Sequence, residues 1–168
     1  MKTISHLLIT ISFALLLAGC KPSHRVTFSP ANVSIDPGDG WKVLITAANP
    51  PVCSPRLVRS EGMINALLME EETDPREAAN KLQARFSQNA KAVPDSFKQE
   101  DFTSDSGLTG VHLSYTGGTA DSLIPDTRSH NFITKNMLGK CVSISYITSV
   151  SNESPAVIEA IRKTVRVE

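Results

Sequence analysis

The chain has 168 residues, 40% apolar, 20% charged and 5% aromatic, with 17 basic side chains balanced by 17 acidic ones. That length suits one domain with a sizeable core. A net charge of zero gives no field for collecting nucleic acid or an anionic bilayer, and the apolar content excludes a largely disordered chain.

Lys2 precedes an uncharged, mostly apolar run at residues 7–18. A basic start, an apolar stretch and small residues before a cut describe an exported signal peptide, and the run is shorter than the roughly 20 residues of a membrane-spanning helix. Leu17-Ala18-Gly19-Cys20 looks like the lipobox of bacterial lipoproteins. That resemblance implies cleavage between Gly19 and Cys20, a diacylglyceryl thioether on Cys20, and acylation of its new amine. Several acyl chains hold a membrane firmly where one binds only marginally. The expected organisation is a signal peptide at 1–19, a lipid-anchored tether at 20–25 and a single domain at 26–168. The expected partner is the membrane, through the lipid on Cys20. Lys21, standing where inner-membrane retention would use aspartate, points to the outer membrane, facing the periplasm, in a cell that has one.

Val26 and Phe28 alternate with polar residues, as do Val33 and Ile35, which predicts short strands. Asp36-Pro37-Gly38-Asp39-Gly40 is a turn, because proline presets φ and glycine accepts positive φ. Trp41, Val43 and Ile45 then share a strand face, with Trp41 a core-edge anchor. Prolines at 50, 51 and 55 keep the next stretch irregular. Residues 57–69 read as one strand whose latter part is apolar on both faces, fitting a central position. Asp74, Pro75 and Glu77 form a helix start, and Ala78, Leu82 and Phe86 repeat every four residues over 75–89. Residues 97–103 and 111–115 are strands, the second with Val111, Leu113 and Tyr115 alternating. A polar loop is expected at 117–129. Residues 132–138 and 141–148 make a strand pair. Ser154-Pro155 opens a last helix to residue 167, with Val157, Ile158, Ile161 and Val165 as its stripe and Arg162 pointing outward.

Strands, helix, strands, helix with short connections give an α+β fold: an antiparallel β-sheet with two amphipathic helices packed on it, a layered sandwich. Val33-Ser34-Ile35 leading to Pro37-Gly38-Asp39-Gly40-Trp41, the apolar strand before the capped helix, and the paired strands followed directly by the last helix resemble the PsbP/DcrB-like superfamily. The stretch 50–55 with Cys53 departs from that pattern. The resemblance implies a small exported domain with an accessory, assembly or binding role, mostly without catalysis, and it supplies no catalytic residues.

With Cys20 assigned to lipid, Cys53 and Cys141 remain, and an even pair in an exported chain suggests a disulfide. Closing so long a loop would contribute about 4–5 kcal/mol at most. Two free thiols are the alternative. So is a thiol–imidazole pair, in which Cys141 with His112 or His130 would serve a thiol-dependent or hydrolytic enzyme. No catalytic motif, cofactor motif or zinc-ligand spacing is present. Glu70, Glu71, Glu72 and Asp74 are oxygen ligands of the kind calcium takes, but a solvated strand end beside a helix N-terminus accounts for them. The 117–129 loop carries Asp121, Leu123, Ile124, Asp126 and Arg128, the candidates for touching another envelope protein. The function expected is therefore a non-enzymatic, lipid-anchored envelope protein.

Overall fold

The computed structural model describes residues 24–47, 51–119 and 126–168. The leader, the lipobox with Cys20, and Asp121, Leu123 and Ile124 lie outside the described residues. In chain order these form β1 (Val26–Phe28), β2 (Val33–Ile35), β3 (Lys42–Leu44), β4 (Arg56–Arg59), β5 (Gly62–Met69), α1 (Pro75–Asn89), β6 (Ala90–Ala92), β7 (Lys98–Thr103), β8 (Thr109–Thr119), β9 (Thr127–Lys135), β10 (Cys141–Ser149), α2 (Pro155–Thr164) and β11 (Arg166–Val167). Single 3₁₀ turns lie at Pro94–Ser96 and Val150–Asn152.

The strands make two antiparallel sheets. The large one runs β3-β4-β5-β10-β9-β8. β7 lies along residues 109–114 of β8 and β6 along residues 117–119, both on the side of β8 away from β9. The small one is β1-β2-β11. Period-two alternation divides the large sheet's side chains between two faces. Val142, Ile144 and Tyr146 of β10 join Phe28, Val33, Ile35, Phe132, Val157 and Ile161 in the core between the large sheet and the layer of small sheet plus α2. Cys141, on the opposite face, joins Val111, Leu113 and Ile133 beneath Ala78, Ala79 and Leu82 of α1. The helix comes close because its contact residues are alanines, both fully buried. Each larger aliphatic side chain buried in these layers stabilises the fold by about 1.5–3 kcal/mol.

The start of α1 follows its sequence signal. Asp74 Oδ1 accepts the Arg76 and Glu77 amides at 3.0 and 2.9 Å, satisfying two of the donors that a helix start leaves open. Trp41 is half-buried, edge-on to Tyr146 at 6.2 Å with Arg59 stacked 4.8 Å above it, which is the anchoring position expected for it.

Four elements differ from expectation. Residues 57–69 are a hairpin, because Arg59 pairs with Gly62 and leaves Ser60-Glu61 as a two-residue turn. Strand β9 stops at Lys135, and Met137 and Leu138 become the exposed tip of the turn into β10. The loop between β8 and β9 is shorter than 117–129, since Gly117, Thr127 and Arg128 are strand residues. Helix α2 ends at Thr164, whose hydroxyl donates to Ala160 O at 2.7 Å and accepts the Asp36 amide at 2.8 Å. The next residues then extend and pair with β2 as β11. Around this closure Arg25 donates to Ser34 Oγ and Thr164 O, the Glu168 amide donates to Asn32 O at 2.9 Å, and the Glu168 carboxylate accepts from Ser34.

Candidate functional site

On β8, alternation sends Val111, Leu113 and Tyr115 toward α1 and His112 toward α2. The register places His112 opposite Phe132 and His130 opposite Ser114, so the two imidazoles occupy diagonal positions on neighbouring strands. Both are buried, at 6% and 3% exposure. His112 lies flat on Phe132 (4.5 Å, 3° between planes), and His130 faces Tyr146 at 6.0 Å.

His112 Nε2 and His130 Nδ1 are 3.0 Å apart. The ring centroids are 5.2 Å apart with planes 25° from parallel. That separation is close to the nitrogen–nitrogen distance plus the two ring radii, so the rings meet edge to edge and share a proton along the line between them. A metal bound by both nitrogens would need them to converge from an angle, with the ion off that line.

The outer nitrogens fix the direction. Arg162 Nη2 donates to His112 Nδ1 at 3.3 Å. A guanidinium has no acceptor, so His112 carries its hydrogen on Nε2 and donates to His130 Nδ1. His130 then carries its hydrogen on Nε2, which lies 2.7 Å from Glu153 Oε1, a short but off-axis approach. The result is a polar chain from cation to anion: Arg162, His112, His130, Glu153. Glu100 Oε2 holds Arg162 from outside at 3.0 Å, and Arg128 Nε backs Glu153 at 3.4 Å.

With both imidazoles neutral, three of the four ring nitrogens are hydrogen-bonded, and His130 Nε2 lies within ion-pair distance of Glu153 Oε1 without a formed hydrogen bond. Burial, then the neighbouring His130, Arg162 and Arg128, pushes the His112 pKa down to about 3. Burial also lowers that of His130, against the pull of the Glu153 carboxylate.

The cysteines correct two expectations. Cys53 and Cys141 are free, buried thiols. The Cys53 amide bonds Ala66 O on one side of β5, while Cys141 pairs with Met69 across its other side. One strand between them means two strand spacings, about 9–10 Å, beyond the roughly 7 Å a disulfide can bridge. Cys141 also faces α1 and so lies on the opposite face of the sheet from His112 and His130, which removes the thiol–imidazole pair. Burial raises its thiol pKa to about 11 and raises that of Cys53 too, so neither is a ready thiolate.

Other candidates resolve simply. Glu72 is held by Lys81 at 2.9 and 3.0 Å, and Asp74 is occupied as the helix cap. Among the described residues no group of three or more His, Cys, Asp or Glu is placed to hold a metal. His24 is exposed beside Asp39. Asp126 sits in the left-handed region at φ +64°, its carbonyl accepting the Val150 amide, and Arg128 is a half-buried strand residue bonded to Thr116 Oγ1 at 2.7 Å. Sequence reading missed Glu100, Glu153 and Arg162 as partners of the histidines. The one available signal was that a long arginine arm on a helix flank can fold back onto the sheet.

No protein-family model and no curated protein matches the chain. Among solved structures, the solution structure of cyanobacterial PsbP (CyanoP) from Synechocystis sp. PCC 6803 is similar, with a TM-score of 0.60 and 12% identity, covering 90% of this chain and 96% of that one. The fold is PsbP-like. An identity that low carries the architecture alone.

Proposed function

We propose that this chain is a lipid-anchored cell-envelope protein that binds, or helps to assemble, another envelope component rather than catalysing a reaction. The observation that carries the non-enzymatic reading is the buried histidine pair. Each of its ring nitrogens faces a side chain of the fold, and both rings are almost fully shielded from solvent. The PsbP-like fold supports the same role, and Leu17-Ala18-Gly19-Cys20 supports the anchor. Partner contact is assigned to the segment joining β8 and β9, with Asp121, Leu123 and Ile124 as its contacting side chains and Asp126 at its base. Arg128 is left out because Glu153 and Thr116 occupy it.

The test has two arms. Metabolic labelling with a palmitate analogue is expected to mark the wild type and not Cys20→Ala, and the variant should leave the membrane fraction. Label on Cys20→Ala, or none on the wild type, would overturn the anchor. A photo-crosslinking residue at position 123 or 124 is expected to trap one discrete envelope adduct. A folded, anchored protein giving no adduct from either position would overturn the contact assignment.

A further inference from the structure

The buried chain from Arg162 to Glu153 is complete only while both imidazoles are neutral, and it ties a helix to the large sheet. Arg162 belongs to α2, whereas His112 and His130 belong to the large sheet and Glu153 to the turn after β10. We propose that uptake of one proton by the His112–His130 pair loosens α2 from the sheet, making this pair an acid-responsive switch for the helix.

The argument is a count of donors and acceptors. A proton from solvent adds one N–H and releases nothing. If it sits on His112 Nδ1, that nitrogen faces the Arg162 guanidinium donor against donor. The charge can instead pass through the shared hydrogen bond, so that His112 Nε2 gives its hydrogen to His130 Nδ1. The imidazolium then lies beside Glu153, but His112 still carries its remaining hydrogen on Nδ1, against Arg162. If the proton goes to His130 Nδ1 while His112 keeps its hydrogen on Nε2, the two rings confront each other as donors. Every one-proton state therefore breaks either the tie to α2 or the tie between the strands. The tie to α2 is the weaker, at 3.3 Å against 3.0 Å, and it has a place to go. Glu100 on β7 already holds Arg162 at 3.0 Å and is 59% exposed, so the guanidinium can swing outward without losing its counter-charge.

The groups facing the pair divide in the same sense. Arg162 from α2 and Arg128 from β9 disfavour a charged imidazole, Glu153 favours one on His130, and Glu100 from β7 stands 4.0 Å from His112 Nδ1, ready to accept its new hydrogen. Tyr146 of β10 closes the far side. The closed arrangement resists the proton and the opened one accepts it, so falling pH moves the balance toward opening. Opening frees the stripe formed by Val157 and Ile161, now sealed against the core.

The experiment is amide hydrogen exchange on the full-length protein in detergent at pH 7.5 and pH 5, corrected for intrinsic exchange. Residues 158–164 of α2 are expected to exchange at least tenfold faster at pH 5, while residues 78–86 of α1 keep their protection. Equal acceleration of both helices, or no acceleration of α2, would overturn the proposal. The double variant His112→Phe with His130→Phe keeps the ring stacking and should abolish the acid response of α2; a retained response refutes the assignment. Should that variant fail to fold, Glu153→Gln removes the carboxylate that accommodates the proton and should weaken the acid response, and an unaltered response counts against the switch.

Discussion

The neutral histidine pair makes a quantitative statement about global stability. Folding holds the His112 pKa at about 3, whereas the unfolded chain returns it to 6.5. A lowered pKa on a base means that the unfolded state binds more protons. The contribution of His112 is therefore intact above about pH 7 and is lost as pH falls through 6.5 toward 3. Between pH 7.5 and 5 the unfolded ring protonates while the folded ring does not, and stability falls by about 2 kcal/mol from His112 alone. His130 acts in the same direction, offset in part by Glu153. The window stops at pH 5 for a reason. Glu61 and Glu168 have lowered pKa values, so whatever they contribute is lost only as pH falls below about 4.5. Urea titrations followed by circular dichroism should show the midpoint dropping by about 1–2 M over this range. In the His112→Phe, His130→Phe variant most of that drop should vanish. A midpoint that falls equally in both proteins would refute the claim that the fold keeps this pair neutral.

Four further outcomes follow from the packing. A Cβ at Gly110 would sit 2.3 Å from Ile133 O and 2.7 Å from the Phe102 ring, so Gly110→Ala should cost about 3 kcal/mol and lower Tm by about 6–12 °C. Gly107→Ala meets open space and should cost only about 1 kcal/mol, from its φ of +81°. Asp74→Ala removes the acceptor for two amides at the start of α1 and should cost about 1 kcal/mol by chemical denaturation. Alkylation without reductant, read by mass spectrometry, should leave Cys53 and Cys141 unlabelled in the native protein and label both after denaturation. Protection that persists in denaturant until reductant is added would restore the disulfide.

Where one local rule acted alone, the chain was readable. Val111, Leu113 and Tyr115 alternate because one face of that strand lies against α1, and Asp74-Pro75 announces α1 because an unsatisfied helix start needs an acceptor. Reading failed where tertiary context chose between equal local options. Leu57 through Met69 reads as one strand only if the polar Arg59-Ser60-Glu61-Gly62 is passed over, and the pairing of Arg59 with Gly62 shows that the chain reverses there. Arg166 and Val167 continue a helical pattern in sequence, yet an open edge on β2 recruits them. Cys53 and Cys141 looked paired by elimination, and the strand between them has no signature in their spacing. His112 and His130 were legible as candidate residues, though as partners of Cys141. Their closure by Arg162 and Glu153 was not, because an arginine reaching inward from a helix flank has the same sequence pattern as one reaching out.

The docking of β11 on β2 has a consequence for the order of events in folding. Arg166 meets Ser34, Glu168 meets Asn32, and Thr164 meets both Arg25 and Asp36. All are contacts between residues more than a hundred positions apart, so the small sheet, whose β1–β2 hairpin is local, is completed only once β11 is available. Local pieces such as the β9–β10 hairpin and α1 can form early, but the layer that seals the inter-sheet core waits for the final strand. A chain emerging gradually from a ribosome therefore keeps this layer open until residues 164–168 arrive to meet residues 25–36.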